Sequence, residues 1–132
     1  MGREIKYKAW LPTIKKMTYG HTLEQWLLDF PHLEDFSEDT VWLQYTGLKD
    51  KNGREIYEGD IEDYNTHVYC DKRRKGVVCF DTHKCCYKLV PFDVFKLNAG
   101  NGGWTGHFFD FHIAATSEVI GNIYENPELI EV

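Results

Sequence analysis

The sequence predicts a mainly β protein, a small barrel or sandwich with one helix, with α+β as the alternative. Three observations point there. Apolar and polar residues alternate in short runs, as in half-buried strands. Glycine and asparagine turns separate those runs. Only one stretch has helical periodicity, so the regular strand–helix alternation of a parallel α/β sheet is missing.

Ile5, Tyr7 and Ala9 alternate with Lys6 and Lys8, which predicts a first strand with one polar face. Lys15, Lys16 and Gly20 mark a turn or short hairpin. A helix is expected over residues 22–30. Thr22 and Gln25 have capping-box spacing, Leu23, Trp26, Leu27 and Phe30 fall on one stripe, and Pro31 ends the element. The acidic run Glu34, Asp35, Glu38 and Asp39 reads as a solvated loop.

Val41, Leu43 and Tyr45 alternate with Trp42 and Gln44 in the next strand. Asn52-Gly53 supplies two residues that tolerate positive φ, hence a tight turn. Residues 56–61 continue as strand, interrupted by Gly59. Residues 76–80 and 85–90 flank Asp81-Thr82-His83-Lys84, a four-residue hairpin connection. Phe92, Val94, Phe95 and Leu97 form a further apolar segment, and the glycine-rich stretch 98–103 reads as a flexible loop. Strand character resumes at 104–113 and 118–124, and Asn126-Pro127 opens a final helical turn.

The 132 residues suit one domain, and 42% apolar and 15% aromatic content argues against disorder. No run approaches the roughly 18 apolar residues of a membrane span, and the basic start lacks a signal peptide's apolar stretch. The expectation is a soluble, cytoplasmic protein without membrane contact, its four cysteines reduced. The net charge of −6 is uneven: residues 20–66 hold twelve acids and three bases, and residues 67–90 hold six bases and two acids. Nucleic-acid binding would therefore depend on a local patch.

Several blocks resemble the YopX family, small proteins of phages and prophages. They are residues 3–10 (Arg3-Glu4-Ile5-Lys6-Tyr7-Lys8-Ala9-Trp10), residues 44–61 with Thr46-Gly47-Leu48-Lys49-Asp50-Lys51-Asn52-Gly53-Arg54-Glu55-Ile56-Tyr57-Glu58-Gly59-Asp60, residues 76–80, and residues 118–129. The resemblance implies a C-terminal SH3-type β-barrel; with the pattern read above, the barrel is placed over 41–132 and residues 1–40 are expected to supply a strand and helix packed on it. It implies a bacterial host cell and no established activity.

Glu58 and Asp60 are read as turn or backbone-capping residues, with a hard cation as the competing role. His67, Cys70, Cys79, His83, Cys85 and Cys86 lack the paired spacing of a zinc site, so structural thiols are expected and no cofactor or metal is predicted. Asp110 and His112, read on one strand face, form the candidate acid–base pair of the least favoured, enzymatic reading. Lys72-Arg73-Arg74-Lys75, near Tyr64, Tyr69 and Tyr87, forms a candidate single-stranded nucleic-acid patch. The favoured expectation is a non-enzymatic module that binds another macromolecule or self-assembles as a homo-oligomer. Trp10, Trp42 and Trp104 cannot all share one core face, and exposed aromatics favour interfaces.

Overall fold

The structure, a computed structural model, describes residues 4–28, 38–65, 73–82, 84–97 and 107–130. The first sheet grows around β1 (Lys6–Leu11). β2 (Lys16–Met17) and β3 (His21–Thr22) pair along one edge of β1, β4 (Val41–Lys49) pairs along the other, and β5 (Glu55–Tyr57) follows β4. β1 is thus a hydrogen-bonded strand of this sheet, and the boundary expected at 40/41 falls just ahead of its partner. The period-two pattern holds on one face. Ala9 and Leu11 are buried with Trp26, and Tyr7 packs against them. The lysine face is not the wet face that alternation predicts, because Lys6 and Lys8 are covered by β5 and the bend after it.

The capping box forms: the Thr22 amide donates to Gln25 Oε1 at 2.8 Å and the Gln25 amide to Thr22 Oγ1 at 3.3 Å. It opens α1 (Leu23–Leu28), which directly follows the cap as expected; residues 29 and 30 lie outside the described residues. The expected apolar stripe is corrected. Trp26 is buried and donates its indole N–H to the Tyr7 carbonyl at 2.9 Å, whereas Leu23 and Leu27 are exposed. Helical spacing puts Leu23 and Leu27 on the side of Trp26, but only Trp26 reaches β1 and none of the described residues covers the two leucines. Phe30, Pro31, Glu34 and Asp35 lie outside the described residues.

The Asn52-Gly53 turn joins β4 to β5 as expected, with Gly53 at φ +81. Asp50 Oδ1 accepts the amides of Asn52 and Arg54, both at 2.9 Å. The chain then bends at Glu58-Gly59, where Gly59 takes φ +84, and enters the second sheet. That sheet contains β6 (Asp60–Tyr64), β7 (Arg74–Asp81), β8 (Cys86–Pro91), β9 (His107–Phe108) and β10 (Glu118–Asn122), in the antiparallel order β10-β6-β7-β8-β9. The bend is held from both sides, by Gly59 N–H to the Val78 carbonyl and Ile123 N–H to the Gly59 carbonyl, each 2.9 Å. Two antiparallel sheets result, one strongly curled into a half-barrel, in keeping with the small β-barrel expected.

Ile56, Tyr64, Val78, Leu89, Phe109, Ala114 and Val119 form the main buried cluster. The expectation of a single helix is corrected. The apolar segment after β8 is α2 (Phe92–Leu97), and of the strand expected over 104–113, His107–Phe108 is strand β9 while its last three residues open α3 (Phe111–Thr116). Asp110 caps α3 by accepting the Ile113 amide at 3.0 Å. Helices of six residues are too short to display a 3.6-residue period, and their aromatic content mimics strand preference. The loop 98–103 and Trp104 lie outside the described residues. The final turn is a 3-10 turn, Pro127–Leu129, with Asn126 at its start.

Candidate functional site

Where β1, the β2–β3 connection, β5 and the turn after β10 meet, the surface holds a pocket of about 390 Å3. Its floor is Tyr57, a buried ring whose hydroxyl donates to Glu55 Oε1 at 3.1 Å. Burial, helped by the neighbouring Glu55 charge, raises the Tyr57 phenol well above its ordinary value, so the hydroxyl remains a donor. Gly20 makes this placement sterically allowed. A Cβ on Gly20 would lie 1.7 Å from the Tyr57 hydroxyl oxygen, closer than any side chain tolerates.

Lys8 enters from β1 with its ammonium 4.6 Å from the Tyr57 ring centre and 3.5 Å from Asp60 Oδ1. Asp60 is buried, and its other oxygen accepts the Tyr57 amide at 2.8 Å. Burial raises the Asp60 carboxyl, and Lys8 opposes that shift. On the neighbouring position of β5, Glu55 receives Lys6 at 2.8 Å; this bond and the Tyr57 hydroxyl outweigh burial and hold the Glu55 carboxyl below its ordinary value. The Arg54 guanidinium makes no hydrogen bond or ion pair among the described residues. Glu125 across the pocket accepts the Asn122 side-chain amide at 2.8 Å. The pocket therefore offers a cation and an anion that do not pair with each other, beside an exposed Tyr19. Lys8, Arg54, Glu55, Tyr57 and Glu125 all come from the blocks that carry the family resemblance, brought together from three distant parts of the chain.

The chain is matched over residues 6–131 by the family model described as YopX protein. It belongs to the YopX family. A solved structure, described as the crystal structure of protein EF1440 from Enterococcus faecalis, aligns with this YopX-family chain at TM-score 0.51 and 23% identity. The alignment covers 96% of this chain and 97% of that one, a likeness of fold. None of the curated proteins matches the chain.

The residues singled out from the sequence occupy other places. Lys72 lies outside the described residues. Arg73 is committed to structure: its Nε meets Asp63 Oδ1 at 2.7 Å, and its terminal nitrogen donates to the carbonyls of Asp63 and Thr116, both at 3.0 Å. Arg74 and Lys75 are exposed at the start of β7, opposite Tyr64 and Asp63. Tyr64 is buried, and Tyr87 packs on Phe80 with ring centres 5.1 Å apart. Tyr69 lies outside the described residues.

Asp110 and His112 do not share a strand face, which corrects the geometry expected for them. Asp110 caps α3, while His112 sits exposed one residue into the helix. Glu58 and Asp60 do cap backbone: Glu58 Oε1 accepts the Gln44 amide at 3.0 Å, as Asp60 does that of Tyr57. His67, Cys70 and His83 lie outside the described residues. The Cys79 thiol is pushed up to about 12, first by burial and then by the Glu58 charge, the opposite of an activated thiolate. Cys85 is exposed at φ +51 and Cys86 half-buried. Among the described residues, no three or more His, Cys, Asp or Glu side chains gather as metal ligands.

Sequence reasoning missed the pocket and missed Glu62, a fully buried acid on β6. The one available signal was the pair of lysines alternating on β1, which need carboxylates if that face is covered.

Proposed function

We propose that this protein is a phage or prophage accessory protein that works in the bacterial cytoplasm by binding another protein, not by catalysis. The observation that carries this reading is the number of large apolar side chains left exposed on and around α1, of which Tyr19 also lines the pocket. Tyr19 is 87% exposed, Leu23 59%, Leu27 68% and Leu28 75%, and Trp42, 46% exposed, stands edge-on to Trp26 at 5.2 Å. Exposed apolar side chains together with a polar pocket suit a recognition surface, in which apolar anchors accompany groups that set specificity. The use of Asp110 as the cap of α3, with His112 exposed on the helix, speaks for the non-catalytic reading. The occupation of Arg73 leaves the basic segment with fewer free charges for phosphate contacts.

Leu27→Asp on α1 is the discriminating variant, because an exposed residue changes there at little cost to folding. Tagged wild-type protein is expected to retain a defined partner from infected cells, or to scatter light as an assembly of its own copies, and Leu27→Asp to lose that association. Identical partner recovery and identical monomeric mass for both proteins would refute the reading. Retention of single-stranded DNA on filters, lost with salt and on reversing Arg74 and Lys75, would instead establish nucleic-acid binding.

A further inference from the structure

Glu62 occupies the middle of β6, opposite Gly76 of β7 and Val119 of β10. It is 0% exposed, and neither carboxyl oxygen has a hydrogen-bond partner among the described residues. Asp60, Glu62 and Tyr64 alternate along one face of the strand, and Tyr64 and Val119 on that face belong to the main cluster with Ala114 of α3. Glu62 therefore points into the apolar space that α3 closes. Ser117, at the end of α3, lies beside the carboxyl group and is itself fully buried, but it donates its hydroxyl to the Ala114 carbonyl at 2.9 Å.

The charged surroundings do not favour an ionised Glu62. Asp60 on β6 and Asp50 on the β4–β5 turn repel it, and Arg54 on the same turn offers a distant positive charge. Gly76 and Val119, its neighbours on β7 and β10, bring no titratable group. An unpartnered carboxylate in such a place is costly, so the group holds its proton instead. Burial first, then the two aspartates, raise it to about 8 against the pull of Ser117 and Arg54.

We propose that Glu62 is a proton-operated latch: neutral, it lets α3 close over the barrel core, and ionised, it drives the C-terminal end of α3 and Ser117 off β6 so that water reaches the carboxylate. α3 is the covering element that yields most readily. β7 and β10 hold β6 through backbone ladders, whereas α3 rests on the core through Ile113 and Ala114 and leaves Phe111, His112, Ala115 and Thr116 exposed. Its end is tied by two single hydrogen bonds that opening breaks, Arg73 to the Thr116 carbonyl and the Lys51 amide to the Ser117 carbonyl, each 3.0 Å. Opening lifts Ala114 away from Val119 and uncovers apolar core, a surface absent from the closed form.

Amide hydrogen exchange between pH 6 and 9.5, corrected for intrinsic rates, tests the latch. The Ala114 and Ser117 amides, which donate to the carbonyls of Asp110 and Ala114, are expected to lose protection about tenfold per pH unit from pH 6 up to about 8 and to level off above it, where Glu62 is ionised in both forms. Val78 and Leu89 keep theirs, and Glu62→Gln holds α3 protected throughout. Unchanged protection in the wild type, equal loss at every amide, or equal loss in Glu62→Gln would overturn the proposal. Should Glu62→Gln not fold, the wild-type Glu62 carboxyl carbon decides by NMR: a midpoint near 8 supports the latch, and one near the ordinary 4.5 overturns it.

Discussion

The Lys8 ammonium lies 3.5 Å from Oδ1 of Asp60, a carboxylate with 2% of its side chain exposed, and this contact ties β1 to the bend between the two sheets. The residues are 52 positions apart. Lys8 is the direct cationic partner of Asp60, so removing it leaves a buried charge uncompensated. Lys8→Met is expected to cost about 3 kcal/mol in urea unfolding, and Lys8→Met with Asp60→Asn less than the two single losses summed. Strict additivity would show that the pair does not couple.

Gly20 and Tyr57 form a steric lock. A methyl group on Gly20 cannot coexist with the Tyr57 hydroxyl, so Gly20→Ala is expected to cost about 1–3 kcal/mol and to break the Tyr57–Glu55 bond. In a Tyr57→Phe background the same substitution costs less, because the closest clashing atom is gone. An equal cost in both backgrounds, by thermal unfolding, would place the strain elsewhere.

Asp50 accepts three backbone amides, those of Asn52, Arg54 and, 69 residues away, Val119 at 3.0 Å. Burial alone would raise this carboxyl, but the Val119, Arg54 and Asn52 donors outweigh it and hold it below its ordinary value. A depressed folded value means that stability is fully present above the unfolded value of about 3.9 and drains away as pH falls through the folded one. Asp50→Asn is expected to lower stability near pH 6 by about 2 kcal/mol and to flatten the acid limb of the urea midpoint against pH. Glu62 acts with the opposite sign. Its folded value is raised, so its contribution is complete below 4.5 and is lost as pH rises through about 8.

Arg73 joins the end of β6 to the end of α3 at a half-exposed site. Arg73→Gln is expected to cost under about 1 kcal/mol, and Arg73→Lys nearly as much, because lysine keeps the charge but cannot reach both carbonyls and the carboxylate. Full stability in Arg73→Lys would assign the effect to charge alone. Changes at exposed Arg74 and Lys75 are expected to leave stability within about 0.5 kcal/mol.

Local chemistry was legible wherever a few adjacent residues settle the backbone. The Thr22–Gln25 capping box, the Asn52-Gly53 turn, the interruption at Gly59 and the hairpin after Asp81 each follow from side chains that reach amides two or three residues away, or from the freedom of glycine at positive φ. The alternation in β1 and β4 likewise follows from the geometry of an extended chain. α2 and α3 were not legible, since each is only six residues long and built largely from residues that also suit strands. Leu23 and Leu27 looked like core because periodicity shows which residues share a face, not whether anything covers it.

The amino-acid order by itself thus determined the mainly β class, the turns and the family. The tertiary structure alone decided which charges are buried and with whom. Lys8 finds Asp60, Arg73 finds Thr116 and Asp50 finds Val119 only because the sheets curl and bring distant segments within a few ångströms. Glu62 is written like any surface acid on a polar strand, and its character comes from desolvation, a property of everything packed around it.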